Sequence, residues 1–351
     1  MQPPPPQQHQ AAHILDVLVV GAGLAGLASA VSAALSGHHV TVVESAKELL
    51  EVCHPLYTAK PPVSLLISCV MQVGAGLQVT PNATRILRTW KVSEDLWRSG
   101  AEPSSLSVHR YTGKLLAHDE VFGKRMRDDY GHPFVDLHRV DLQLALYERA
   151  KGLGVKFVLG QRVEHVDFDG PYIRTGSGLV LNADLIVAAD GLWSRCRSDY
   201  TQSQQLPRPT GDLAYRVVLR LDQIEDPELR ARVENPTVHF WIGPGAHAVG
   251  YSLRGGQMYN IVLLVPDDIP DGVGRQVGSV TEMRALFKDW DPILSKFLDL
   301  VEDVDKWKLM HSQCLRTLHL SKHIYNKLTS ITSPGDELSS WVNEKSNVVF
   351  V

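Results

Sequence analysis

Residues 14–45 read ILDVLVV, GAGLAG, LASAVSAALSG and HHVTVVES, and this stretch decides the fold. Ile14 to Val20 is apolar but for Asp16 and is stopped by glycine, the mark of a buried strand. Three glycines then stand where a strand would turn into a helix. Leu27 to Ser36 is small and apolar, and Gly37 follows, the residue type that most easily closes a helix. From Val40 the β-branched residues return. Strand, glycine turn, helix and strand make the opening βαβ unit of a doubly wound α/β domain.

Inside that unit Gly21-Ala22-Gly23-Leu24-Ala25-Gly26 fits G-x-G-x-x-G. Gly21 permits the tight turn, Gly23 lets the backbone approach a pyrophosphate, and Gly26 lets helix and sheet pack closely. The helix N-terminus offers N–H groups and the positive end of its dipole to phosphates. Glu44 closes the second strand about 20 residues on, where a carboxylate meets ribose hydroxyls. The pattern predicts a dinucleotide site and leaves FAD and NAD unseparated. Gly272-Val-Gly274-Arg-Gln-Val-Gly278 and Gly243-Pro-Gly245 lack the strand-helix setting and read as turns. With no second fingerprint, a nicotinamide partner is expected to bind transiently elsewhere.

Outward from the fingerprint, Ser104 to His118 alternates around Thr112-Gly113 and predicts a hairpin. Val140 to Gly152 is an amphipathic helix, followed by the strand VKFVLG, and Asp184 to Asp190 is a further strand. From Pro207 to Pro266 short strands dominate, which predicts a largely antiparallel second sheet. Thr281 to Trp307 reads as helix and NVVFV at the end as a buried strand. The 351 residues are 44% hydrophobic and 21% charged with a net charge of −4, which excludes a disordered or coiled-coil chain. A mildly acidic chain without a basic block is a poor partner for nucleic acid. Val63 to Val79 is too polar for a membrane span, and the first twelve residues lack a signal core, so a cytoplasmic protein is expected. Cys53, Cys69, Cys196 and Cys314 show no C-x-x-C spacing, and His319 and His323 lack a third ligand, so no metal is expected. Oligomeric state is not encoded in any feature of the sequence.

The run Asp184-Leu-Ile-Val-Ala-Ala-Asp190-Gly191-Leu-Trp-Ser194-Arg195 resembles the D-G motif of FAD-dependent aromatic monooxygenases of the salicylate hydroxylase type. His138-Arg139-Val-Asp141-Leu and Gly74-Ala75-Gly76-Leu-Gln-Val-Thr-Pro-Asn82 resemble two further motifs of that family, in the same order. The resemblance implies FAD as cofactor, NAD(P)H as co-substrate and O₂ as the oxygen source. It implies that Asp190 and Gly191 lie near the pyrophosphate, that Arg139 supports FAD, and that Gly74 and Ala75 lie beside the isoalloxazine. Ala214-Tyr215-Arg216 and His247-Ala-Val-Gly-Tyr251 resemble the segments that present an Arg and a Tyr to a phenolic substrate. The expected reaction hydroxylates a phenolic or polyketide-derived aromatic, in secondary metabolism or aromatic catabolism. An epoxidase on the same fold stays open as an alternative, whereas a halogenase is disfavoured because no W-x-W-x-x-I run occurs.

The implied organisation is a disordered tail at 1–12, a Rossmann-like FAD-binding domain at 13–200, a substrate domain at 201–306 and a partial return to the FAD domain at 307–351. Two runs depart from the family pattern, 53–73 and 314–336. Each has the length of a short translated intron, the origin expected here; the alternative is a pair of surface loops, tolerated because closure cost rises slowly with loop length. The family strand resembling NVVFV leads into a Gly-Asp motif, and the sequence reaches Val351 before one. Weak FAD binding is therefore expected of this chain, with a catalytically impaired truncated flavoprotein as the alternative reading.

Overall fold

The computed structural model describes residues 11–49, 76–202, 206–312 and 347–351. The runs 53–73 and 314–336, Gly74, Ala75, His319 and His323 lie outside these residues. The fold is mixed α/β and divides into two compact units. One holds 76–145 and 209–309; the other holds 11–49, 146–202 and the strand Val348–Phe350.

The second of these is the doubly wound one. Its five-stranded sheet is parallel, in the order Val348–Phe350, Leu185–Ala188, Asp16–Val20, His39–Val43, Lys156–Val158. Asp16–Val20 is central, which is why Val17 to Val20 carry no polar alternation and are all buried. The helix Leu24–Leu35 packs back on it through Leu27, Ala30 and Val31. The chain leaves that helix at Gly37 with φ +92°, where a side chain would be strained. A three-stranded antiparallel sheet, Val163–Asp167, Tyr172–Thr175 and Val180–Asn182, joins the same core through Val166 and Ile173.

The other unit is built on an eight-stranded sheet. Its order is Arg275–Val277, Asp305–His311, Arg208–Arg220, Met258–Pro266, Ala246–Leu253, Thr237–Gly243, Ser105–Arg110, Leu115–Asp119. The expected hairpin is present, Ser105–Arg110 against Leu115–Asp119, and its first strand runs parallel to Thr237–Gly243. The hairpin, the run from Arg208–Arg220 through Met258–Pro266 and Ala246–Leu253 to Thr237–Gly243, and the pair Arg275–Val277 with Asp305–His311 are antiparallel. It recruits strands from both sides of the 201–306 stretch, so the unit is discontinuous in sequence.

Within 281–307 the reading as helix needs correction. Helices occupy Val280–Leu286 and Pro292–Leu298, and Asp305–His311 is a strand. Its alternation was hidden because the inward-facing residues are lysines: Lys306 is 3% and Lys308 8% exposed. Lys306 Nζ meets Asp268 at 2.7 Å and Glu282 at 2.9 Å, and Lys308 Nζ meets Asp267 at 2.9 Å. Buried ammonium groups stand only with such partners.

Period-two alternation gives this sheet two unlike faces. Tyr215, Val217, Ile261 and Leu263 point to a core closed by Leu229, Met283 and Phe297 from the helices Pro227–Glu234, Val280–Leu286 and Pro292–Leu298. Arg216, Val218, Asn260 and Tyr251 occupy the opposite face. The register places Val218 opposite Asn260 and Asn260 opposite Tyr251.

Candidate functional site

In the doubly wound unit the glycine turn is held by backbone bonds. Gly21 N–H donates to the Val43 carbonyl at 2.8 Å, so the turn hangs from the end of the neighbouring strand. Gly21 has φ +101°, and a Cβ there would run into the Ala189 carbonyl oxygen. A Cβ on Gly26 would overlap the Gly21 carbonyl oxygen, whereas one on Gly23 would meet nothing within 4 Å. Gly21 and Gly26 are therefore needed for the turn itself, and Gly23 leaves an open approach. The helix that follows has Gly23 at its cap, no side-chain cap and no acid in its first turn. Its first N–H groups and positive dipole end face outward, the arrangement that suits an anion.

Glu44 and Asp190 both come to this turn. Glu44 Oε2 accepts from Ala22 N–H at 2.7 Å and Oε1 accepts from Ala46 N–H at 2.8 Å. Oε1 also accepts from Ser45 Oγ at 2.9 Å, so it is Oε2 that keeps a second lone pair for a ribose hydroxyl. Asp190 follows Ala189 directly, with its Cα within 3.3 Å of where a Gly21 Cβ would sit. Its carboxylate is turned to its own chain: Oδ1 accepts from Ser194 Oγ at 2.5 Å, and Oδ2 from the N–H groups of Arg195 and Cys196 at 2.7 and 3.0 Å. Asp190 thus caps the helix Arg195–Thr201, and Gly191, with φ +78°, makes the turn between them. The residues around Gly21 fit an adenosine pyrophosphate. Gly74 and Ala75, expected at the other end of the cofactor, lie outside the described residues.

Arg139, Arg216 and Tyr251 come together in the other unit. The short strands Gly76–Val79 and Val135–His138 form an antiparallel ribbon, with Gly76 opposite His138 and Gln78 opposite Asp136. One ribbon face is apolar: Val135 and Leu137 pack on Gly100. The other carries Gly76, Gln78, Asp136 and His138 and lies on the Tyr251 face of the large sheet. A Cβ on Gly76 would stand 2.7 Å from Tyr251 Oη, so only glycine leaves room for that ring. Gly76 N–H donates to Asn260 Oδ1 at 3.0 Å. The result is a polar layer between ribbon and sheet, with Tyr251 4% exposed and Asp136 and Asn260 fully buried.

Burial lowers the affinity of the Arg216 guanidinium for its proton, and the nearby Arg139 adds to this while Tyr251 opposes it. Burial likewise pushes the Tyr251 phenol above its usual range, aided by Asp136 and opposed by Arg216. Arg216 stacks over the Trp307 ring at 5.4 Å, and its Nε has no hydrogen-bond partner among the described residues. Asp136 Oδ2 and Asn260 Nδ2 are in the same condition. Arg139 begins the helix Arg139–Gly152, whose first turn is fixed by a two-pronged pair: Arg254 Nη2 and Nε meet Asp141 Oδ1 and Oδ2 at 2.7 and 2.9 Å.

Sequence reasoning missed Gln78, Asp136 and Asn260. Gln78 and Asp136 lie inside or beside motifs that were recognised, and alternation on two short strands was the signal that could have joined them. Asn260 carried no signal, because an Asn in a run of apolar strand residues reads as an interruption. Among the described residues no cluster of three or more His, Cys, Asp or Glu is placed to hold a metal ion, and no helix is long and apolar enough to cross a membrane.

A family profile described as an FAD binding domain matches residues 16–50, which span the glycine turn and Glu44. The FAD-dependent monooxygenase OpS4 of Beauveria bassiana (strain ARSEF 2860) is 46% identical over 305 residues, 86% of this chain and 66% of that protein. The chain belongs to the FAD-dependent monooxygenases. A 3-hydroxybenzoate 6-hydroxylase of Polaromonas naphthalenivorans (strain CJ2) is 28% identical, covering 84% of the chain and 67% of the relative. The chain spans about two thirds of the length of these curated relatives. Among solved structures, CtdE in complex with FAD and substrate 4 superposes with a TM-score of 0.73 at 20% identity, over 96% of this chain and 73% of that one. HpxO of Klebsiella pneumoniae complexed with FAD and uric acid gives a TM-score of 0.68 at 17% identity, over 99% and 74%. Both share the fold.

Proposed function

We propose that the protein to which this chain belongs is a cytoplasmic monooxygenase that hydroxylates a phenolic or polyketide-derived aromatic, with FAD as cofactor and NAD(P)H and O₂ as co-substrates. The observation that carries this reading is the polar layer, where Arg216 and Tyr251 share one sheet face with Gly76 making room for the phenol ring. FAD, when bound, supplies the activated oxygen; binding and orientation fall to the chain. Gly21, Gly23 and the N-terminus of the following helix would hold the pyrophosphate, Glu44 the ribose, and Asp190 and Gly191 would shape the same turn. Arg139, at the edge of the polar layer, would support the flavin end.

Arg216 would act on the substrate. A phenol has a pKa of about 10, and a guanidinium within about 4–6 Å lowers it by about 1–3 units. The phenolate so favoured pushes electron density into its ring, which an electrophilic oxygen needs. Arg216 Nε is buried with no hydrogen-bond partner among the described residues, which leaves that N–H for the phenolate oxygen. Tyr251 stays protonated, so its O–H can donate to the substrate oxygen and fix which ring carbon is presented. The test is Arg216→Ala, loaded with FAD and assayed for hydroxylated phenol. Yield falls about 100-fold, the scale of losing one charge-stabilising donor. An undiminished yield removes Arg216 from the mechanism.

A further inference from the structure

The polar layer contains an acid that the proposed hydroxylation does not use. Asp136 is fully buried, and both of its backbone groups are tied to Ala101, N–H to O at 2.7 Å and O to N–H at 3.0 Å. Its backbone is therefore fixed in place. Oδ1 accepts from Gln78 Nε2 at 3.3 Å, a long bond, and Oδ2 has no partner among the described residues. An ionised carboxylate buried with one long hydrogen bond is expensive, whereas a carboxylic acid there is a donor in search of an acceptor. The ribbon register limits what it can reach. Asp136 lies opposite Gln78 and diagonal to Gly76, and Gly76 is the residue on which the Tyr251 ring rests. Diagonal neighbours in an antiparallel pair are about 7–8 Å apart at the backbone, within the span of one carboxyl and one phenol.

We propose that Asp136 is a positioning residue that donates its carboxylic proton to the Tyr251 oxygen, leaving the Tyr251 O–H to point at the substrate. This rests on the reading of Tyr251 as the substrate's hydrogen-bond donor. The titratable and charged groups around the pair are consistent with a neutral acid. Tyr251 faces Asp136 from the large sheet and is held protonated by burial, while Tyr259 lies on the opposite face of that sheet, against Phe297. His138 is two residues along the same ribbon face. Arg216 acts on Tyr251, opposing its rise, and Arg139 acts on Arg216. Burial drives the acid's proton affinity up, and the Gln78 bond opposes it only in part. The arrangement has a use. A neutral Asp136 makes Tyr251 a stronger donor, because a hydroxyl that accepts a hydrogen bond donates a better one.

The test is ¹³C NMR of the full chain with its aspartate carboxyl carbons labelled. At pH 6 an ordinary aspartate, with a pKa of about 3.9, is almost wholly ionised. One carbon should keep the shift of a protonated acid, vanish in Asp136→Asn, and titrate at lower pH in Tyr251→Phe. A spectrum in which every aspartate is ionised at pH 6 overturns the proposal. So does a protonated Asp136 whose titration is unmoved in Tyr251→Phe, since the proton would then not be shared with the phenol. Should Asp136→Asn fail to fold, the wild-type titration and Tyr251→Phe decide alone. The signal is read without turnover, so a chain that hydroxylates no phenol but keeps this resonance would sink the proposed reaction and leave the Asp136–Tyr251 contact standing.

Discussion

The glycine turn at 21–26 and the polar layer around Tyr251 solve opposite problems with the same few residue types. In the turn every group is settled close to home: Glu44 ties down Ala22 and Ala46, and Asp190 ties down the helix that follows it. What the turn presents outward is backbone. In the layer, residues from five distant segments meet, and Asp136 Oδ2, Asn260 Nδ2 and Arg216 Nε are left without partners among the described residues. A buried polar group left so costs about 1–3 kcal/mol. The contrast teaches that a cofactor site made of backbone can be complete in itself, while a side-chain site is held under tension by the packing around it.

Glycine substitutions break the comparison most sharply. Gly26→Val should damage both stability and FAD binding, because the added atoms meet backbone that cannot move; overpacking of this kind costs about 1–3 kcal/mol or more. Urea midpoints with and without FAD would read both losses. Gly76→Ala meets a ring instead, and a ring can shift. It should leave the fold nearly intact and cut phenol hydroxylation about tenfold, a loss of about 1.4 kcal/mol in transition-state binding. Equal damage from both variants would mean that the layer is as rigid as the turn.

A pH titration sharpens the same contrast from the far face of the sheet. His239 is buried against His109, with Nδ1 to Nε2 at 3.1 Å, and burial first, then Arg232 and His109, lower its pKa to about 3. Asp291 opposes this and His118 adds slightly to it. The unfolded chain, with an ordinary histidine near 6.5, binds the proton more readily than the folded one. His239 therefore contributes its full stability above about pH 6.5 and loses it as pH falls toward 3, by up to about 1.4 kcal/mol per pH unit. Urea midpoints at pH 7 and pH 5 should fall further apart in the wild type than in His239→Gln. The smallest effect is expected at Arg254→Ala. Its pair with Asp141 is partly exposed, so the loss in stability should be about 0.5–1 kcal/mol. A larger loss would mean that this pair, rather than the ribbon, positions Arg139.

The opening of the doubly wound unit was legible from residues 14–45 because its signals are local. A buried parallel strand is apolar throughout, a tight turn needs glycine, and a closing carboxylate follows at a fixed spacing. The strand Asp305–His311 was not legible, since lysines occupy its inward positions and their acidic partners lie at 267, 268 and 282. Asp190 was legible as a position but not as a helix cap, a role set by Ser194, Arg195 and Cys196 folding back on it.

The sequence by itself therefore determined the βαβ opening, the dinucleotide turn and the residue types Arg216 and Tyr251 within a second, largely antiparallel sheet. Only the tertiary structure decided that Gly76 clears space for Tyr251, that Asp136 and Asn260 are buried beside it, and that Arg216 Nε has no hydrogen-bond partner among the described residues. The physical reason is range. Backbone conformation is governed by neighbours in the chain, while burial and hydrogen-bond partners depend on which strands a sheet happens to bring side by side, and no periodicity within a strand records its partner.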